Sequence, residues 1–254
     1  MRSPLKDPHN FRCAPALSEI LPAECTVKSF AFLSGQMEFA LMGEGRKFTF
    51  LTNKIAIYDF WKHAFDNPYV VARHAAAMHE NTTSACIDTY RKDLLTYREP
   101  HMRAAIFYLL NRYSDRGNIF SGTFNMGNYS PLSTRYLKNL KSHDYELELF
   151  FYPENYVEEG FKYLKDEDLV LLPIGPYKPS LLITGVSEAY DEYAINTNVL
   201  DNALEELSQP FAICYHYDSR IPQRYKKYNI AYTTKHGNLT RNERTAHEAI
   251  ITNF

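Results

Sequence analysis

The chain has 254 residues, which suits one large domain, and its 45% hydrophobic and 23% charged residues are typical of a globular protein. The formal net charge of -2 excludes nucleic-acid binding through an overall basic charge, so such a site would have to be a local basic patch. No apolar run approaches the roughly 18 residues that cross a bilayer, so we expect no membrane segment and a cytoplasmic protein.

The chain begins with two strand patterns and then becomes helical. Residues 28–34 (KSFAFLS) and 47–52 (KFTFLT) predict strands, and apolar side chains at helical spacing in residues 54–65 predict a helix. Pro68 is tolerated in a first helical turn, so we expect a helix to begin there and helical structure to continue towards Tyr97.

A further helix and a hairpin or loop follow. Pro100 interrupts the helical structure, and residues 101–113 (HMRAAIFYLLNRY) predict that it restarts. Residues 114–131 are rich in Gly, Asn and Ser, which predicts a hairpin or a loop that carries aromatic side chains. Because residues 68–140 do not alternate between strand and helix, we interpret them as an inserted, mostly helical module.

Strand patterns return at regular intervals in the second half of the chain. They lie at residues 147–152, 168–174, 211–217, 228–234 and 248–254. Helical patterns at residues 154–165 and 197–208 separate the first three, and this alternation predicts a doubly wound α/β sheet. No helical pattern separates the last two strands, which predicts an antiparallel edge.

The cysteines and histidines show no metal-binding pattern. The four cysteines are scattered and none of the nine histidines belongs to an HExxH-like pair, so we predict no metal site. Scattered cysteines favour a reduced, intracellular protein.

Five stretches, in order, resemble motifs of Dam-like DNA adenine-N6 methyltransferases, a family of bacteria and their phages. Residues 31–41 (AFLSGQMEFAL) are similar to the first motif, a strand and a Phe-x-Gly-Gly turn, and residues 52–62 to the second, an Asn-Asp pair that opens a helix. Residues 107–129 resemble the target-recognition region. LLPIGPY (171–177) takes the position of the catalytic Asp-Pro-Pro-Tyr, and EAIITNF (248–254) resembles the terminal strand.

The resemblance implies an α/β fold with a seven-stranded, Rossmann-like methyltransferase sheet and an inserted, mostly helical target-recognition module. The α/β domain would comprise residues 13–67 and 141–254, and residues 68–140 would form the module. The partner would be duplex DNA, and the protein would be cytoplasmic in a bacterium or a phage-infected cell.

The positions that would bind S-adenosylmethionine depart from the family's pattern. Ala31 stands where the family has an acidic residue beside the first strand. Gly35 is retained, but Gln36 replaces a second glycine and adds a side chain where the cofactor's methionine part would lie. Lys54, which can only donate, stands where an Asp accepts hydrogen bonds from the ribose hydroxyls. The resemblance thus implies no bound cofactor, and S-adenosylmethionine only if the protein were active.

The catalytic motif departs as well, because Ile174, Gly175, Pro176 and Tyr177 stand in place of Asp-Pro-Pro-Tyr. In the family, the acid accepts a hydrogen bond from the adenine amino group and the Tyr stacks on the flipped base. This chain retains the Tyr and lacks the acid, which would leave that amino group without a partner at a cost of roughly 1–3 kcal/mol.

Three acidic positions are absent together, which predicts a methyltransferase-like protein without catalytic activity. It would bind DNA or a protein partner, either paired with an active subunit or within a larger assembly. Two alternatives stay open. One is an active S-adenosylmethionine-dependent DNA adenine methyltransferase with altered motifs, and the other is an unrelated α/β protein with a different strand order.

Basic and aromatic side chains interleave in the inserted module and again in residues 220–228 (RIPQRYKKY). Basic side chains pair with phosphates, and aromatic side chains stack on or wedge between bases. The candidates for DNA contacts are Arg112, Arg116, Phe124, Asn125, Arg135, Arg220 and Arg224. A solvated helix face and an exposed loop, with the aromatic side chains in the core, would give the same pattern.

Overall fold

The computed structural model describes residues 2–42, 45–119, 122–140, 147–151, 160–177 and 197–254. The helices within them are α1 (Ala14–Ile20), α2 (Gln36–Leu41), α3 (Ile55–Asp66), α4 (Pro68–Asn81), α5 (Ser84–Asp93), α6 (Pro100–Tyr113), α7 (Pro131–Lys138), α8 (Thr197–Glu206) and α9 (Ile221–Arg224). The strands are β1 (Thr26–Ser29), β2 (Lys47–Thr52), β3 (Leu147–Phe151), β4 (Asp168–Gly175), β5 (Phe211–His216), β6 (Asn229–Thr233), β7 (Leu239–Thr240) and β8 (Glu248–Thr252). No helix in these ranges has both the length and the apolar character needed to cross a membrane.

The strands form one mixed sheet in the order β3-β2-β1-β4-β5-β8-β6-β7, so the fold is α/β. Strands β1 to β5 run parallel to one another. Strand β8 runs antiparallel between β5 and β6. After β1 the chain adds β2 and β3 on one side of β1 in the sheet, and then β4 and β5 on its other side. Ligands of open α/β sheets bind at the carboxyl ends of the strands where the order reverses, which is between β1 and β4 here.

A strand overlaps each of the seven predicted segments, and β7 is an eighth strand. The last two predicted strands, β6 and β8, pair antiparallel towards one edge of the sheet as predicted, although β8 lies between β5 and β6 and the outermost strand is β7. The first predicted strand, residues 28–34, also extends too far, because β1 ends at Ser29 and Ala31 has a left-handed backbone with φ 57°. This turn directs Phe30 and Phe32 into different hydrophobic clusters.

The sheet is covered on both faces. In β4, Leu169 and Leu171 belong to the cluster that includes α1 to α6, whereas Val170 and Leu172 belong to the cluster that includes α8. All eight residues of β4 are buried. Continuous apolar strands of this kind are expected where both faces of a parallel sheet are buried.

Helices α3, α4 and α6 confirm predicted helices, and the helix predicted at residues 197–208 is present as α8. Helical structure continues from Pro68 to Thr96 as predicted, in α4, α5 and a short 3₁₀ helix. It is interrupted between α4 and α5, where Thr82 and Thr83 leave helical geometry and Thr83 is the N-cap of α5. The helix predicted at residues 154–165 lies mostly outside the described residues.

Helix α6 connects the first helices to the hairpin region. Arg103 of α6 forms a two-pronged ion pair with Asp59 of α3, with Nη2 3.1 Å from Oδ1 and Nε bonded to Oδ2. After α6, Ser114 and Phe124 form one antiparallel bridge, and Asp115 N donates to Thr123 O at 3.1 Å. This short pairing confirms the hairpin predicted there.

Candidate functional site

The residues predicted to form a cofactor and catalytic site lie at the carboxyl ends of three parallel strands. Ala31, Gly35 and Gln36 follow β1, Lys54 follows β2, and residues 174–177 end β4 and follow it. Backbone hydrogen bonds tie the loop after β1 to the two neighbouring strands, with Phe30 N donating to Leu171 O of β4 (2.8 Å) and Phe32 N to Leu51 O of β2 (3.1 Å). The fold therefore gathers these segments at the edge where α/β proteins bind ligands.

The loops after β1 and β2 both lead directly into helices. Gly35 is the N-cap of α2, and Lys54 is the N-cap of α3. The carbonyl of Lys54 accepts hydrogen bonds from the N–H groups of Ile57 (3.0 Å) and Tyr58 (2.9 Å). Gln36 is exposed, and its N–H donates to Ser34 Oγ at 3.2 Å.

At the end of β4, Ile174 belongs to the core rather than to a polar site. Its side chain is 4% exposed and lies in the same hydrophobic cluster as Tyr177 and Tyr215. The Tyr177 ring is itself covered, with the Tyr215 ring edge-on at 5.5 Å and the Arg220 guanidinium over it at 5.1 Å. A base that stacked on Tyr177 would have to displace Arg220.

Residues 2–13, called here the N-terminal segment, run across this carboxyl edge. Hydrogen bonds to distant parts of the fold hold the segment in place. Lys6 N donates to Asn111 Oδ1 (2.8 Å), and Arg12 N donates to Glu248 Oε1 (2.7 Å). Near its middle, His9 O accepts a hydrogen bond from His216 Nε2 at 2.7 Å. The segment thus joins α6 to the carboxyl end of β5.

The N-terminal segment fills the crevice between β1 and β4. Asp7, His9 and Phe11 line this crevice together with Ala31 and Pro173, and the space left between them is about 10 Å³. Such a volume holds about one water molecule. A small-molecule pocket needs roughly 300–1,000 Å³, so this crevice holds no cofactor while the segment lies there.

Two carboxyl groups that no sequence motif indicated lie at this crevice. Glu38 of α2 is buried, and its Oε1 accepts a hydrogen bond from Ser29 Oγ at 2.8 Å. Burial, with a smaller contribution from the nearby Asp7 carboxyl, raises the pKa of Glu38 to about 7. Burial also raises the pKa of Asp7, although the N–H of His9, donating to Oδ1 at 2.9 Å, opposes this shift. In the sequence, Glu38 is distinguished only as an acidic residue between the apolar residues Met37 and Phe39.

A wider and more basic cavity opens beside the crevice. Its volume is about 530 Å³. Its lining includes Gln36, Lys6, Arg112, Asp115 and Arg116. Burial lowers the pKa of Arg112, and it is the largest cause of the lowered pKa of Lys6. The cavity therefore brings a predicted cofactor position together with two predicted DNA contacts and with a lysine that the sequence did not single out.

The other predicted DNA contacts between residues 68 and 140 are dispersed. The Arg91 guanidinium lies over the Phe124 ring, 5.0 Å from the ring centroid. Asn125 accepts a hydrogen bond from Gly127 N (2.8 Å) and so caps a short 3₁₀ helix. Arg135 is exposed on α7.

Arg220 and Arg224, at the two ends of α9, already have acidic partners. Arg220 forms a two-pronged pair with Asp218, with Nε 2.7 Å from Oδ1 and Nη2 2.8 Å from Oδ2. Arg224 pairs with Asp201 and donates to Asn198 Oδ1 at 2.9 Å. A phosphate would compete with these carboxylates for both guanidinium groups.

The chain matches no protein-family model and no curated protein. The arrangement at the carboxyl edge of the sheet is therefore the basis for a proposed function.

Proposed function

We propose that this protein is a methyltransferase-like DNA-binding protein that does not transfer methyl groups. One observation carries the proposal. The crevice at the reversal of strand order keeps only about 10 Å³ beneath the N-terminal segment, whereas a basic cavity of about 530 Å³ opens beside it. A protein built this way keeps a surface for an anionic polymer, and its crevice lacks room for a nucleoside cofactor.

The strand order supports a methyltransferase-like sheet. Five parallel strands in the order β3-β2-β1-β4-β5 are followed by the antiparallel β8 and then by β6, with β7 as an addition at the edge. The late antiparallel pair that the sequence predicts is β6 with β8. Helices α4 to α7 and the Ser114–Phe124 pairing would then form the inserted target-recognition module.

The residues of the motif regions support the loss of methyl transfer. Ile174 lies in the hydrophobic core where the resemblance expects a carboxylate that orients the adenine amino group. Tyr177 is covered by Arg220. With Lys54 in place of a ribose-binding acid, the cofactor ribose would lack its hydrogen-bond acceptor, just as the adenine would lack its carboxylate at Ile174.

Lys6, Arg112 and Arg116 support DNA as the partner, since three cationic side chains line one cavity. Phosphate contacts from lysine and arginine provide most of the sequence-independent affinity for DNA. Asp115 and Asp7 in the same lining oppose this field, which favours moderate rather than tight binding.

The alternative function is an active methyltransferase with altered motifs. Asp7 and Glu38 favour it, because both carboxyl groups lie at the crevice with Ala31 and could replace the missing acids. That function requires the N-terminal segment to leave the crevice.

The test is calorimetric titration of the full chain with S-adenosylmethionine and S-adenosylhomocysteine, with and without duplex DNA. We expect no binding heat up to about 1 mM cofactor, and binding of a fluorescent duplex at low salt that weakens as salt is raised. Micromolar cofactor binding or methylated adenine would support the alternative. No duplex binding at low salt would overturn the DNA-binding role and favour the predicted protein partner or assembly.

A further inference from the structure

Two histidines and an aspartate meet where the end of α3 lies beside the start of α6. His63 and Asp66 are on α3, and His101 is on α6. Each side chain offers one ligand atom, and the three atoms lie within 4.8 Å of one another. The two imidazole rings are 5.0 Å apart between centroids. This cluster is separate from the crevice and from the basic cavity.

His101 is oriented as a metal ligand would be. Its Nδ1 lies 3.2 Å from Glu99 Oε1, and Glu99 is held by accepting the Met102 N–H as the N-cap of α6. The Nε2 atom is buried and has no hydrogen-bond partner among the described residues. Asp66 Oδ2 lies 3.9 Å from it, too far for a hydrogen bond. A carboxylate on one ring nitrogen fixes the tautomer that leaves the lone pair on the other.

His63 has the same kind of support. Its Nε2 lies 3.2 Å from Asp59 Oδ1, and Asp59 is held by Arg103. When Nε2 donates to Asp59, the lone pair of the ring lies on Nδ1.

We propose that His63, Asp66 and His101 bind a divalent metal ion of the zinc class. Two imidazole nitrogens and one carboxylate oxygen suit zinc and its neighbours, whereas magnesium and calcium prefer oxygen ligands alone. Asp66 is exposed, so water completes the coordination. The ion would join α3, which follows β2, to α6 of the helical module.

The first experiment is titration of the chelator-treated full chain with Zn²⁺, followed by calorimetry, and with Co²⁺, followed by its visible absorption. We expect one Zn²⁺ per chain with a dissociation constant on the order of micromolar, and no comparable binding of Mg²⁺. His101→Gln and Asp66→Asn should each weaken Zn²⁺ binding at least about tenfold. His236→Gln, at an exposed histidine of the β6–β7 turn, is the matched control and should bind Zn²⁺ as the wild type does.

A supporting carboxylate gives a second variant that keeps every proposed ligand. Glu99→Gln should weaken Zn²⁺ binding roughly 10- to 100-fold, because His101 loses the partner that orients its ring. Zn²⁺ should also raise the thermal midpoint of the wild type and not that of His101→Gln, since a ligand stabilises only a state that binds it. Absence of a one-to-one Zn²⁺ complex in the wild type, or equal affinity in His101→Gln, would overturn the proposal.

Discussion

His9 lies against the backbone of Gly175, so close that a Cβ on Gly175 would be 2.2 Å from His9 Nδ1. Gly175 also has φ +87°, a conformation that a proline cannot adopt and that other residues adopt at a cost. At the position that the resemblance assigns to the first Pro of Asp-Pro-Pro-Tyr, a glycine thus matches the path of the N-terminal segment. Gly175 and the filled crevice are two parts of one arrangement.

Gly175→Ala should destabilise the protein by about 2–4 kcal/mol, because the added methyl group meets both an unfavourable φ and the His9 ring. Urea unfolding measures this free energy. Gly122→Ala is the control, because Gly122 has φ +92° but nothing within 4 Å of its added Cβ. It should cost only about 1–2 kcal/mol. Equal losses in the two variants would show that His9 does not press on Gly175.

Glu38→Gln should change how stability depends on pH. Because the folded-state pKa of Glu38 is raised from 4.5 to about 7, the folded protein binds this proton more tightly than the unfolded chain does. Wild-type stability should therefore fall by about 3 kcal/mol between about pH 5 and pH 8, relative to Glu38→Gln. Urea unfolding at several pH values measures the difference. Glu19→Gln is the control, because Glu19 is exposed on α1, and its stability should depend on pH as that of the wild type does. The prediction is contradicted if the stability of Glu38→Gln has the same pH dependence as that of the wild type.

Ile174→Asp should destabilise the protein by roughly 3–5 kcal/mol, because the carboxylate would enter a hydrophobic cluster without a partner. Ile174→Val, which keeps the apolar contacts, should cost about 1 kcal/mol. Thermal or urea unfolding measures the loss of stability in each of the two variants. A fully stable Ile174→Asp would mean that the end of β4 is open to a polar ligand.

Restoring two acids together should not restore cofactor binding. The Lys54→Asp plus Ile174→Asp protein should give no S-adenosylmethionine heat in calorimetry, because the N-terminal segment still fills the crevice. Micromolar affinity in this variant would show that the segment leaves the crevice readily, and would favour the enzymatic alternative.

Arg116→Ala should weaken binding to every duplex sequence and reduce the salt dependence of binding by about one unit of slope. The reason is that Arg116 is an exposed cation in the lining of the basic cavity. Fluorescence anisotropy over a range of salt concentrations measures the slope. Lys47→Ala, at the amino end of β2 and so at the opposite edge of the sheet, should leave the slope unchanged. An unchanged slope in Arg116→Ala would exclude a phosphate contact there.

The sequence predicts the central strands well because they are buried on both faces. DLVLLPIG of β4 is apolar at six of its eight positions, and such a run fits no amphipathic helix. The end of β1 is harder to predict. Phe30 and Phe32 continue the apolar pattern beyond Ser29, although Ala31 has already turned the backbone. Alternation in the sequence does not reveal one left-handed residue.

The candidate site is less predictable than the sheet, because its defining contacts are not local. No periodicity marks the N-terminal segment, and its position depends on partners such as Asn111 and Glu248. Motif positions indicated Ala31, Gln36 and Lys54, which follow β1 and β2. They could not indicate Asp7, which lines both the crevice and the basic cavity.

The hydrogen bond from Arg12 to Glu248 spans 236 residues of sequence and therefore also constrains how the chain folds. Contacts of such separation form late, because a long loop must close before they form. The N-terminal segment is made before β8, so this hydrogen bond can form only after β8 has been made and Glu248 has reached its place at the start of that strand. We therefore expect the segment to be fully ordered over the crevice between β1 and β4 only after β8 has joined the sheet.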